Sequence, residues 1–167
     1  MNLFVLRHGI AVELGAPGVT HDAERCLTPE GRSKLEQIAK AMHGMELAFD
    51  AILSSPYLRA RQTAEVIACS FKKTAKVELC EALAPGGTSA QVIDMLRRLK
   101  PAPENVLLAG HEPNLSHLVS VLVGSKGGSC VVFKKGGLCK LCVNSLRPQP
   151  DASIEWLLTP RQMIAMA

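Results

Sequence analysis

Three short segments place a basic or imidazole side chain at, or just beyond, the end of an apolar run. They are Leu6-Arg7-His8-Gly9, Leu53-Ser54-Ser55-Pro56-Tyr57-Leu58-Arg59 and Leu108-Ala109-Gly110-His111. Brought together, Arg7, His8, Arg59 and His111 would suit a phosphoryl group. Phosphoryl transfer spreads charge over the equatorial oxygens, and fixed cationic donors stabilise that charge as it develops. Arginine adds a two-pronged hydrogen bond to phosphate oxygens. Arg59 also falls in the first turn after Pro56, where backbone N–H groups and the helix dipole favour an anion. Histidine, with an ordinary pKa of about 6.5, offers a neutral ring with a lone pair at physiological pH. His8 is therefore the expected nucleophile, with Gly9 permitting close backbone approach beside it and His111 donating to the phosphoryl oxygens.

Each residue also has an ordinary structural reading. An Arg-His pair after a strand is weak alone, His111 could cap the helix near Asn114, and Arg59 or Arg61 could pair with Glu65 at helical spacing. His21 sits in a polar loop, His43 precedes a helix-ending glycine and His117 is one turn into a helix, so all three read as structural. The phosphoryl reading rests on the three strand ends occurring together, because ligands of open α/β sheets bind at the carboxyl ends of strands.

The elements that must position these residues alternate apolar strand runs with amphipathic helices. Strands are expected at Asn2–Leu6, Ala51–Leu53, Lys76–Leu79, Val106–Ala109, Val131–Phe133, Leu138–Val143 and Ser153–Leu158. Thr28-Pro29 opens a helix that Gly44 stops, and Ser55-Pro56 opens another to about Ser70. Thr88 caps a helix to about Leu99, Asn114 begins one to about Val123, and Thr159-Pro160 opens a short last one. Residues 9–27 show no period and read as a loop. The expected architecture is one α/β domain over 1–167, a three-layer sandwich. Its central sheet is mostly parallel with helices on both faces, and antiparallel pairing appears toward the C-terminal end.

The chain has 167 residues, 47% hydrophobic and 20% charged, which is globular usage. Nineteen basic against 15 acidic residues give a net charge of +4, and aromatics are only 4%, so nucleic acid is not an expected partner. The runs Lys72-Lys73 and Lys134-Lys135 read as solvated faces. No signal-peptide pattern or membrane-length apolar run is present, which predicts a cytoplasmic location with six reduced cysteines. Cys139 and Cys142 form a CxxC, but on a strand residues three apart face opposite ways, so packing is expected rather than metal or redox chemistry.

The same residues resemble the histidine phosphatase superfamily, and more narrowly its SixA-type phosphohistidine phosphatases. Leu6-Arg7-His8-Gly9 resembles the nucleophile motif, and Leu53 through Ala64 is similar to a long second signature. Leu27 to Arg32, Leu83 to Gly87 and Ala109 to Pro113 follow in the expected order. The resemblance implies a phosphoglycerate mutase-like fold, Arg7, His8, Arg59 and His111 as the phosphate pocket, and no metal or other cofactor.

Larger members use an acidic residue to protonate the leaving oxygen, and by chain position Glu81, then Glu13, are the candidates here. SixA-like enzymes depend less on such an acid, because imidazole is a weaker leaving base than an alkoxide. A short chain without large insertions implies an open pocket that admits a protein-borne phosphohistidine, for instance on a histidine-containing phosphotransfer domain. Two alternatives stand beside this reading: a phosphatase for small phosphoesters, and a non-catalytic protein that binds a phosphorylated partner.

Overall fold

The computed structural model describes residues 1–71, 76–125 and 128–167. The Lys72-Lys73 run lies outside the described residues. Six strands form one sheet in the order β3-β2-β4-β1-β5-β6. They are β1 (Asn2–Arg7), β2 (Ala51–Ser54), β3 (Val77–Leu79), β4 (Asn105–Gly110), β5 (Leu138–Ser145) and β6 (Asp151–Leu158). The first four run parallel, while β5 pairs antiparallel with β1 and with β6. This is the expected mixed sheet.

Side-chain alternation along the central strands produces three layers. Leu3 and Val5 of β1 and Val106 and Leu108 of β4 pack with α3 (Ser89–Arg98) and α4 (Asn114–Leu122). Phe4, Leu6, Leu107 and Ala109 point the other way, against α1 (Pro29–Gly44), α2 (Leu58–Ser70) and α5 (Pro160–Ala165). Each fully buried Leu or Phe contributes about 2 kcal/mol, so a core on both faces holds the strand ends firmly in register.

Local signals explain where helices begin. Thr28 accepts from Gly31 N at 3.0 Å with Pro29 in the first turn, and Thr88 and Thr159 close capping boxes with Gln91 and Gln162. Gly31 is required where it stands: a Cβ there would lie 2.2 Å from the Ile10 carbonyl oxygen, on the loop that leaves His8. Helix α1 runs through Gly44 and is capped at Met45, with the positive φ of 56° falling on Glu46.

Helix α2 opens at Leu58, later than Ser55-Pro56 suggests. Ser55 N extends the sheet by donating to Ala109 O, and Ser55 Oγ accepts Tyr57 N at 3.2 Å. Both groups are thereby used before the helix starts.

Val131–Phe133 is not a strand. Its backbone is occupied by side chains instead of a neighbouring ladder: Phe133 N donates to Glu112 Oε1, and Phe133 O accepts from Arg7 Nη1. The loop of residues 9–27 has internal order, with a 3₁₀ turn at Asp22–Glu24 and a bridge between Ala11 and Leu27. Among the described residues no helix is long and apolar enough to cross a membrane.

Candidate active site

Strand register assembles the site. β2, β4 and β1 are adjacent, with Ser54 opposite Ala109 and Ala109 opposite Leu6. The residues that follow, Ser55 to Arg59, His111, and Arg7-His8, therefore emerge at one level. His8 N donates to Gly110 O, which carries the ladder one residue beyond β1. Arg7, His8, Arg59 and His111 line one cavity of about 340 Å³ together with Glu13, Asp22, Arg25, Pro85, Glu112 and Lys135.

His8 is only 6% exposed and its ring is fixed at both nitrogens. Nδ1 lies 2.7 Å from the Gly9 carbonyl oxygen, a pure acceptor, so Nδ1 carries the proton. Nε2 then holds the lone pair and accepts from Arg59 Nε at 3.3 Å. Burial, followed by nearby Arg59, Arg7 and Lys135, lowers the imidazole from its ordinary 6.5 to about 4; the Gly9 hydrogen bond opposes this. The ring is neutral at pH 7, as nucleophilic use of Nε2 demands. Gly9 N donates to Thr63 Oγ1 on α2, and a Cβ on Gly9 would press on the flexible side chains of Leu35 and Leu27.

His111 is 2% exposed, and its ring centre lies 5.1 Å from that of His8. Its Nε2 is 2.8 Å from Ser55 Oγ, which already accepts Tyr57 N. The Ser55 hydroxyl has no other acceptor among the described residues, so it donates to His111 Nε2 and leaves the ring proton on Nδ1. Burial, then His8 and Arg59, lower this imidazole to about 3.

Among the described residues, His111 Nδ1 and Arg7 Nε are the buried side-chain polar atoms without a hydrogen-bond partner. Both residues line this cavity. Two unsatisfied donors on residues that line one cavity are what an oxyanion there would satisfy.

Arg59, 5% exposed, is held by Asp22: Nη1 donates to its carbonyl at 2.7 Å and Nη2 to Oδ2 at 2.8 Å. Burial works to raise the Asp22 carboxyl, but hydrogen bonds from Arg25 and Arg59 outweigh it and lower the pKa. Arg7 donates Nη1 to Phe133 O at 2.7 Å, and burial lowers its guanidinium pKa against the pull of Glu112. The alternative pairing of Arg59 with Glu65 does not occur; Arg61 takes Glu65 at 2.7 Å.

Several lining residues are absent from the expected set. Asp22 comes from the aperiodic loop, and Glu112 was legible only as the neighbour of His111. Lys135 corrects the solvated-face reading of Lys134-Lys135. Gly136 N bonds Arg7 O and His8 O, which turns half-buried Lys135 over the cavity while Lys134 stays exposed.

Of the two acid candidates, Glu13 lines the cavity but Glu81 is exposed and does not. His21 caps the 3₁₀ turn, His43 stacks on Phe71 at 4.3 Å and His117 is exposed. Cys139 is buried and Cys142 half-buried; burial pushes the Cys139 thiol up to about 12. Among the described residues, no three His, Cys, Asp or Glu side chains converge as a metal-binding group.

An α/β sheet with paired arginines and neutral histidines at its strand ends defines a phosphoryl-transfer protein. The family model of the histidine phosphatase superfamily (branch 1) matches residues 3–85. Phosphohistidine phosphatase SixA of Escherichia coli K12 is 30% identical over 161 residues, 96% of this chain and 94% of that protein. The SixA homolog of Haemophilus influenzae is 32% identical over 134 residues, 75% of this chain and 79% of that protein. A solved structure of the protein histidine phosphatase SixA complexed with tungstate superposes with a TM-score of 0.82 at 24% identity, covering 96% of this chain and 98% of that one. The chain belongs to the histidine phosphatase superfamily. It is a phosphatase with the SixA-like, phosphoglycerate mutase-like fold.

Proposed function

We propose that this phosphatase hydrolyses phosphohistidine on another protein, with His8 as the nucleophile. Nε2 of His8 attacks phosphorus in line, the substrate's P–N bond breaks, and phospho-His8 forms. The substrate imidazole leaves neutral when its remote ring nitrogen carries a proton. Water then attacks phospho-His8, gives its proton to solvent, and inorganic phosphate departs as the lone pair returns to Nε2. Arg7, Arg59 and His111 donate to the phosphoryl oxygens throughout.

The observation that carries the choice of substrate is the state of the cavity's two half-buried carboxylates, Glu112 and Asp22. Glu112 Oε1 accepts Phe133 N, and Oε2 accepts Ser116 Oγ at 2.6 Å. Asp22 is divided between Arg25 and Arg59 at 2.9 and 2.8 Å. Neither is disposed to deliver a proton to a leaving alkoxide, whereas an imidazole leaving group needs little help. The SixA relatives are phosphohistidine phosphatases by name, which supports the same reading.

One observation favours a second reading as a small-phosphoester phosphatase. Glu13 lines the cavity, is 83% exposed and, among the described residues, is tied only to Arg25 at 3.6 Å. It is the acid such a reaction would use. The deciding assay compares a histidine-phosphorylated phosphotransfer domain with p-nitrophenyl phosphate, on wild type and Glu13→Gln. The phosphohistidine reading expects rapid dephosphorylation of the domain and little effect of Glu13→Gln. No action on the domain, together with ester turnover that collapses in Glu13→Gln, would establish the second reading instead.

A further inference from the structure

Beside the active site runs a larger depression of about 890 Å³. Arg7 and Lys135 line both, so the two adjoin at those residues. Lys34 on α1, Lys134 before β5 and Arg161 on α5 add three more cations. Ile10, Pro160 and Ile164, all half-buried, supply an apolar floor. No acidic side chain among the described residues lines the groove. Among the described residues, Glu30, paired with Lys34 along α1, is the one carboxylate in salt-bridge contact with any of the five cations.

This concentration is unusual for the molecule. The whole chain carries 19 basic and 15 acidic residues, and among the described residues six of the eleven cations outside the groove have a carboxylate partner, against one of the five within it. Those six are Arg25, Arg32, Arg59, Arg61, Arg98 and Lys140. Phosphate chemistry at His8 needs Arg7, but it needs none of Lys34, Lys134 or Arg161, and free phosphate has no use for an apolar floor. Cations around apolar side chains complement a segment that carries carboxylates on its flanks and aliphatic residues on its face.

We propose that the groove seats an acidic, partly apolar segment of the phosphorylated protein, lying alongside the side chain whose phosphoryl group enters the cavity. This rests on the reading that the substrate is a protein. The groove would then give substrate choice through KM and association rate, while the chemistry stays with Arg7, His8, Arg59 and His111.

The test reverses two exposed cations that lie outside the catalytic set, as the double variant Lys134→Glu/Arg161→Glu, with Lys134→Gln/Arg161→Gln as the milder form. Dephosphorylation of an acidic histidine-phosphorylated phosphotransfer domain is compared with that of free phosphohistidine. On the domain, kcat/KM is expected to fall about tenfold or more with kcat little changed, and its salt dependence to flatten. On free phosphohistidine, activity stays within about twofold of wild type. An equal loss on both substrates, or no loss on the domain, overturns the proposal.

A binding measurement separates failure of the groove from failure of the phosphohistidine reading. A fluorescent peptide rich in Glu and Leu is titrated against wild type and the double variant. Binding by wild type that is lost in the variant supports the groove even if the phosphodomain is not turned over. Binding by neither, or binding of a single-stranded oligonucleotide or anionic vesicle in place of the peptide, overturns it.

Discussion

The two ends of the parallel strands carry cavities of opposite character. At the amino ends lies one of about 520 Å³, bordered by Asp50, Glu78, Lys100, Pro101, Pro103 and Glu104. It is larger than the 340 Å³ cavity at the carboxyl ends. Its charged side chains, however, are exposed to water: Asp50, whose Oδ2 accepts Glu104 N and Asn105 N at 3.0 and 2.8 Å, and Glu78, Lys100 and Glu104 beside it. At the carboxyl ends, Arg7 Nε and His111 Nδ1 are buried without partners among the described residues, and two histidines are held neutral. Size does not distinguish a site here. Directed donors left over after folding do.

The largest effect that would break this contrast is at Arg59. Arg59→Ala removes a donor that reaches His8 Nε2 and is expected to lower kcat for phosphohistidine by about 10²- to 10³-fold, read in a steady-state phosphate-release assay. Asp50→Ala, at the other end, is expected to leave kcat within about twofold while costing about 1–3 kcal/mol of stability, read by urea denaturation. A reversal of that pattern would remove the distinction between the two ends.

A pH titration sharpens the same contrast. His8 and His111 have folded pKa values of about 4 and about 3, below the 6.5 of an unfolded chain. The unfolded state therefore binds more protons below pH 6.5, and the stability these groups confer is fully present above 6.5 and lost as pH falls toward 4 and 3. Denaturation midpoints should fall steadily over that window, and the His8 and His111 ring resonances should hold still between pH 6 and 8. Titration of either ring near 6.5 would contradict the burial argument.

The smallest expected effect concerns the support of the site. Glu112→Ala frees Phe133 N and, through Phe133 O, loosens Arg7. A loss of about tenfold in kcat/KM is expected, because a displaced donor is weakened rather than removed. Unchanged kinetics would show that Arg7 is positioned by its own strand alone.

Much of this was legible in the sequence because strand ends speak for themselves. Arg7, His8, Arg59 and His111 follow short apolar runs whose burial on both faces admits few placements. The sheet register then brings them together as expected. Asp22 was not legible, since a loop without period gives no clue that its carboxylate reaches Arg59 across 37 residues. Lys135 looked like half of an exposed run, because only the long-range bonds from Gly136 to Arg7 and His8 turn it inward. Val131–Phe133 has strand composition, yet its backbone is claimed by Glu112 and Arg7, and no local pattern announces that competition.

The central claim is that His8 Nε2 becomes the phosphorylated atom. Rapid quenching of wild type during turnover of a ³²P-labelled phosphohistidine protein tests it directly. The account predicts acid-labile, alkali-stable phosphate on the peptide containing His8, and none on His8→Ala, whose turnover falls by about 10⁴-fold or more. Full turnover with no phosphoenzyme, or label retained by His8→Ala, would contradict it.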